Sequence, residues 1–185
     1  VLHTLNKVLE PNRKPRAKPR FIKRHELIYG LNLDDIWIDA VAFEQLLSAG
    51  NQALPGDRQT AIARFEKALQ LYRGDYFPER RFEDWASAER ERLQVLALGL
   101  MTTLANLLVE DSPLESIRLT QQVLIIDPLW ENAYRTQMQA YLVQGNRPMA
   151  IRVYQQCTDI LDQELGIPPL PETDALFQHI LNQNS

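Results

Sequence analysis

Two stretches of this chain repeat one another at a spacing of 34 residues. Ser116-Ile117-Arg118 aligns with Ala150-Ile151-Arg152, Thr120 with Tyr154, and Val123 with Cys157. Ala61, Phe65 and Ala68 carry the same internal offsets of four and three. A period of this length holds two helices and their turns. Small residues fall where the two helices approach closely, and larger ones fill the space between pairs. Nothing else in the sequence restricts the fold as much. One unit cannot bury its apolar side alone, so units must stack, about three of them at least, with a cap at the end.

The rest of the sequence agrees with helices. Glycine is scarce, 7 of 185 residues, and Leu, Ala, Gln and Glu, all good helix formers, dominate. From Asp39 onward the apolar pattern predicts helices near 40–53, 57–72, 85–110, 113–126, 128–144, 147–164 and 171–182. Boundary signals are frequent. Ser112-Pro113-Leu114-Glu115 reads as a capping box with proline in the first turn. Asp127-Pro128 and Asn146-Arg147-Pro148 pair a capping side chain with an early proline. Pro55-Gly56-Asp57 breaks the chain and caps the next helix, and Gly74 stands where a helix end favours glycine. The expected fold is all-α: a tetratricopeptide-like stack pairing 40–53 with 57–72, 85–110 with 113–126, and 128–144 with 147–164. Helix 171–182 closes it as a C-terminal capping helix.

The first 38 residues differ in kind. Residues 1–10 read as a short helix with Leu2, Leu5 and Leu9 on one face. Pro11, Pro15 and Pro19 punctuate a basic loop. Residues 20–24 and 27–31 read as two short strands, with Leu27, Tyr29, Leu31 and Leu33 alternating as a buried sheet face would. Asp34-Asp35 reads as a turn, and Ile36-Trp37-Ile38 as a third short strand. Eight basic side chains (Lys7, Arg13, Lys14, Arg16, Lys18, Arg20, Lys23, Arg24) against Glu10 alone give residues 1–24 a charge of +7, leaving −11 for residues 25–185. A basic head on an acidic body suits a polyanion at one end. Helix, basic loop and hairpin together form the back half of a winged helix-turn-helix. In that geometry the helix enters the major groove and the wing touches backbone or minor groove. His3, Thr4 and Lys7, opposite the leucines, and Lys23 and Arg24 on the wing are the candidate DNA-binding residues. Two further helices would have to precede Val1, and Val rather than Met at position 1 marks the chain as a fragment or a processed product.

No constellation points to catalysis. His3, His25 and His179 are widely separated, and no HExxH, GxSxG or Walker-type loop occurs. Cys157, the single cysteine, excludes an internal disulfide and reads as a small buried hydrophobe rather than a reactive thiol. Asp34, Asp35 and Asp84 lack the spacing of a metal site. Glu89-Arg90-Glu91-Arg92 reads as a solvated, ion-paired helix face. Trp37, Trp85 and Trp130 are assigned to core packing, and Tyr134, Met138 and Tyr141 to one packed stripe. No stretch reaches the ~18 apolar residues of a membrane span, and no secretion signal opens the chain. The expectation is a cytoplasmic protein that is not an enzyme, with no cofactor, no membrane partner and no small-molecule substrate.

Four segments resemble one family. They are Ile38-Asp39-Ala40-Val41-Ala42-Phe43-Glu44, Leu71-Tyr72-Arg73-Gly74-Asp75-Tyr76, Trp85-Ala86-Ser87-Ala88-Glu89-Arg90-Glu91-Arg92-Leu93, and Glu164-Leu165-Gly166-Ile167-Pro168. In this order and spacing they resemble the bacterial transcriptional activator domain of Streptomyces antibiotic regulatory protein type regulators, from about Asp39 to Ile180. The resemblance implies a tetratricopeptide-like domain over residues 39–185. It also implies an OmpR-type winged helix before it, of which residues 1–38 are a truncated form. Leu170 stands where the family usually has a capping Ser before Pro171, and His25-Glu26-Leu27-Ile28 replaces a Gly-rich wing turn. The implied role is regulation and protein contact, with self or with the transcription machinery, while the intact protein binds DNA. The competing reading is a general tetratricopeptide-like scaffold for peptide or protein partners, with the basic N-terminus as a linker.

Overall fold

The computed structural model describes residues 2–32, 34, 36–80 and 82–182. Among them the chain forms α1 (Leu2–Leu9), β1 (Ile22–His25), β2 (Ile28–Leu31), α2 (Asp39–Ala53), α3 (Arg58–Leu71), α4 (Ser87–Leu108), α5 (Pro113–Ile126), α6 (Glu131–Val143), α7 (Arg147–Leu165) and α8 (Pro171–Asn182). Short 3-10 turns at Pro78–Arg80 and Asp84–Ala86 lie between α3 and α4. Helices α2 with α3, α4 with α5, and α6 with α7 pack as antiparallel neighbours, each pair packs on the next, and α8 lies across α6 and α7. The fold is thus the all-α tetratricopeptide-like stack with a capping helix, plus an N-terminal helix and hairpin.

The repeat positions explain the packing. Ala61, Phe65 and Ala68, Ser116, Thr120 and Val123, and Ala150 and Cys157 are all fully buried. Tyr154 is half-buried and stacks face to face on Phe177 of α8, with centroids 3.8 Å apart. Gly50 on α2 meets Phe65 so closely that an added Cβ would overlap the ring. Beside a small cluster of Val109, Ile117 and Ala140, two larger apolar clusters result. One runs from Phe43 and Phe65 through α4 to Val123 and Ala133, and the other gathers Tyr134, Met138, Ala150, Cys157 and Ile180, with Leu124 touching both. Tyr134, Met138 and Tyr141 therefore form a packed stripe.

Caps divide into those formed and those not. Asp57 accepts from the Thr60 amide at 2.9 Å, and Asn146 accepts from the Met149 amide at 3.3 Å. Gly166 adopts φ 65° and closes α7, with the Ile167 amide reaching back to the Leu161 carbonyl as in a Schellman motif. The capping box at Ser112 does not form, because Arg118 captures Glu115 through bonds of 2.8 and 2.5 Å. Nor does Asp127 cap α6. Its carboxylate turns to the Leu129 amide at 2.9 Å, and the helix begins at Glu131, later than the proline suggests. The predicted helix 85–110 is shorter, because Asp84–Ala86 winds as 3-10. Helix α3 ends at Leu71, so Gly74, at φ 123°, shapes the loop beyond it. Residues 36–38 form no strand, since the hairpin pairs only β1 with β2. Of the Asp34-Asp35 turn, Asp34 alone is described, in 3-10 conformation; Asp35 lies outside the described residues.

The C-terminal helix is tied down by polar contacts. Leu170 lacks a capping hydroxyl, but Glu131 of α6 accepts the Leu170 amide at 2.7 Å and also takes the Thr173 hydroxyl. Arg135 donates to Thr173 at 2.9 Å. The Tyr154 hydroxyl donates to Asp174 at 2.7 Å. Arg147 holds the carbonyls of Ile180 and Leu181 at 2.9 and 2.8 Å. Those two are among the last carbonyls of α8, which have no partner within the helix.

Candidate nucleic-acid interface

In α1, one face carries His3, Thr4 and Lys7, all exposed. Glu10, the one acid of this region, ends the helix and accepts the backbone amides of Arg20 at 2.8 Å and Phe21 at 3.4 Å. That carboxylate fastens α1 to the start of the hairpin across the proline-rich loop. Sequence reasoning missed this role; the signal was a lone acid among eight bases, directly before Pro11. The hairpin pairs Ile22 with Leu31, Lys23 with Gly30, Arg24 with Tyr29 and His25 with Ile28. Its turn is Glu26-Leu27, with Glu26 at φ 53°, a backbone region that favours glycine.

Neighbouring strand residues point to opposite faces, so Lys23 and Arg24 do not share one. Both are exposed. Lys23 lies 3.7 Å from Asp34. Arg24 donates to the Glu26 carbonyl at 2.7 Å and sits over the Tyr29 ring, 5.8 Å from its centroid. The three α1 residues are thus brought together on one surface, while the two wing residues are split. Lys14, Arg16 and Lys18 in the loop are exposed as well, extending the basic surface between helix and wing.

The apolar faces here correct the expectation of a buried sheet. Leu27 is 88% exposed, and Tyr29 and Leu31 are exposed too; Leu33 lies outside the described residues. Leu5 and Leu9 of α1 are likewise exposed. Neither α1 nor the hairpin packs extensively on the helical stack, so no described element of this chain covers those faces.

Two tryptophans also depart from the core assignment. Trp37 is 70% exposed and Trp85 63%. Trp85 leans on Phe77, with centroids 5.4 Å apart, and its indole N–H donates to Glu83. Both stand in the irregular stretches flanking α2 and α4, where no helix covers them. Trp130 does pack on the first apolar cluster. In the charged run, Arg92 is the hub. It grips Glu44 of α2 with bonds of 2.9 and 2.7 Å and Glu89 with bonds of 2.9 and 2.7 Å. These hydrogen bonds hold both carboxyls below the usual range. Arg90 is half-buried and donates to the Tyr76 carbonyl at 3.0 Å, pinning the α3–α4 loop. Burial pushes the Cys157 thiol up to about 12, where almost no thiolate exists to act as a nucleophile. Among the described residues no group of His, Cys, Asp and Glu could hold a metal ion, and no helix is long and apolar enough to cross a membrane.

Comparison with known proteins adds three likenesses. The chain is 31% identical over 163 residues to the regulatory protein DnrI of Streptomyces peucetius, covering 82% of this chain and 55% of that protein. It is 28% identical over 145 residues to the transcriptional regulator RedD of Streptomyces coelicolor, covering 76% of this chain and 41% of that one. The chain thus spans about half the length of the curated relatives it matches. Its fold resembles the solved structure of Mycobacterium tuberculosis EmbR in complex with a low-affinity phosphopeptide. There the TM-score is 0.87 at 22% identity, over all of this chain and 48% of that one. Residues 38–181 match the family described as the bacterial transcriptional activator domain. With its helix pairs, their caps and this match in agreement, the chain belongs to the bacterial transcriptional activator domain family.

Proposed function

We propose that this chain is the DNA-adjoining half of a cytoplasmic transcriptional regulator. Residues 1–38 are the end of a winged helix, and residues 39–185 are the regulatory, protein-contacting domain. The observation that carries the reading is the N-terminal arrangement. A helix with a polar face and an uncovered leucine face is stapled by Glu10 to a basic hairpin that is also apolar and uncovered. A linker has no use for such faces, whereas a winged helix covers them with two further helices. The relatives, both named as regulators, agree. His3, Thr4 and Lys7 face the duplex, and Lys23 or Arg24 reaches a phosphate. The protein partner is a second copy or part of the transcription machinery; the reading gives the chain no enzymatic step.

The test is a titration of this chain with two labelled duplexes of unrelated sequence, at salt between about 50 and 200 mM. Weak binding without sequence preference is expected, since no described element packs on α1 to hold it rigidly. Each phosphate neutralised adds about −0.9 to the slope of log K against log salt. Lys7→Ala should therefore flatten the slope by about one phosphate's worth, again about 0.9. A salt-independent affinity, or one untouched by Lys7→Ala and Lys23→Ala together, would remove DNA from the reading.

A further inference from the structure

Helices α5 and α7, the second members of successive pairs, flank a groove of about 570 Å³ floored by α6. On the floor stands Gln137, only 5% exposed. Its amide has no hydrogen-bond partner among the described residues, yet neither amide atom is sealed from the groove. An amide on a largely buried side chain that opens into a groove with no protein partner is held in place to pair with an incoming polar group. Gln121 and Gln156 stand on the two rims without side-chain partners of their own, and Ile125, 81% exposed, adds an apolar surface.

We infer that this groove binds an extended peptide segment of a partner protein, uncharged or basic, with apolar side chains. Four features choose that occupant. Gln137 offers one carbonyl and one NH₂ group, the complement of a peptide group's N–H and C=O. The rims carry neutral amides, and Asp159 is the one charged residue lining the groove, so acidic segments meet no cation while a basic residue gains a partner. The body around it bears −11, which disfavours an acidic chain over its whole surface. The flanking stripe on α7 from Gln156 to Gln163 is seven residues on, about 10 Å at 1.5 Å per residue. That length fits about three extended residues at ~3.3 Å each and is too short to seat a helix of several turns. The groove lies on the side of the second helices, away from α1 and the hairpin in sequence. The inference deepens the protein-contact role proposed above and rests on it. It does not depend on DNA binding, so the peptide and DNA assays fail separately.

The experiment selects phage-displayed random heptapeptides on the full chain and measures the enriched peptides by fluorescence anisotropy. Enriched peptides should share apolar residues and lack Asp and Glu. Gln137→Leu, close in volume, should weaken them at least tenfold without lowering Tm, because it removes an unpaired amide rather than a structural contact. Ile125→Ser should weaken them several-fold, and Ser48→Ala, on α2, should change nothing. The proposal is overturned if acidic peptides dominate, if no selected peptide binds, or if Gln137→Leu leaves affinity intact. It is also overturned if Gln137→Leu lowers Tm as a structural role would, or if Ile125→Ser instead dissolves a dimer of this chain in sedimentation.

Discussion

Gly50 and Ala150 are small residues buried where helices pack on one another. At Gly50 an added methyl overlaps the fully buried Phe65 ring. Alanine in place of a helical glycine gains roughly 0.5–1 kcal/mol of helix stability, while overpacking a core contact costs roughly 1–3 kcal/mol. Overpacking should outweigh the helical gain in Gly50→Ala, lowering Tm by roughly 2–4 °C per kcal/mol lost; an unchanged Tm in a thermal melt would mean that the ring yields. Ala150 is fully buried and Arg152 is exposed. Ala150→Leu should therefore cost roughly 1–3 kcal/mol, and Arg152→Ala no more than about 0.5 kcal/mol. The reverse ranking in paired melts would put the α7 register out by two residues. This register was legible in the sequence because small residues at a 34-residue spacing leave a pattern. Gly50 was not, since its partner Phe65 lies on another helix and no spacing rule links them. The exposed α1 face carrying His3, Thr4 and Lys7 was legible from the leucine pattern. The staple made by Glu10 was not, because its partners are backbone amides ten and eleven residues away.

Among the elements, the bridge from α4 to α2 carries the clearest pH signature. Hydrogen bonds from Arg92 lower Glu44 and Glu89 below their ordinary values. A carboxyl lowered by folding adds stability above its unfolded value, and loses it as pH falls through the folded one. Arg92→Ala should therefore lower Tm slightly at neutral pH, as the loss of a solvent-screened pair does. Melts of wild type and variant should converge as pH drops below the ordinary glutamate value of about 4.3. A gap that persists in acid, or that ignores added salt, would assign the loss to packing of the arginine stem instead. Element boundaries show where local signals compete. Asn146 and Asp57 cap as their positions suggest, because nothing else claims their side chains. Glu115 is claimed by Arg118 and Asp127 by the Leu129 amide, so the motif at 112–115 reads correctly as a helix start but not as a cap, and the one at 127–128 stands short of its helix, which begins at Glu131. The alternation at Leu27, Tyr29 and Leu31 was likewise a true strand signal. It records a need for cover, and the cover is not among the described elements.

For the whole molecule, the stack from α2 to α8 holds all three apolar clusters and its own end cap. Residues 39–185 alone should accordingly unfold cooperatively, with helical circular dichroism, at nearly the Tm of the full chain. A broad, non-cooperative melt of that piece beside a sharp melt of the full chain would show that α1 and the hairpin complete the core. The split of charge between the two regions has an electrical consequence. A body with +7 near one end and −11 over the remainder is a large permanent dipole. In the field of a polyanion such a molecule turns before it touches: the cationic end leads, and the anionic stack is pushed outward. A polyanion thus acts on such a molecule as an aligning electrode, drawing the basic head inward and leaving the acidic stack toward solution.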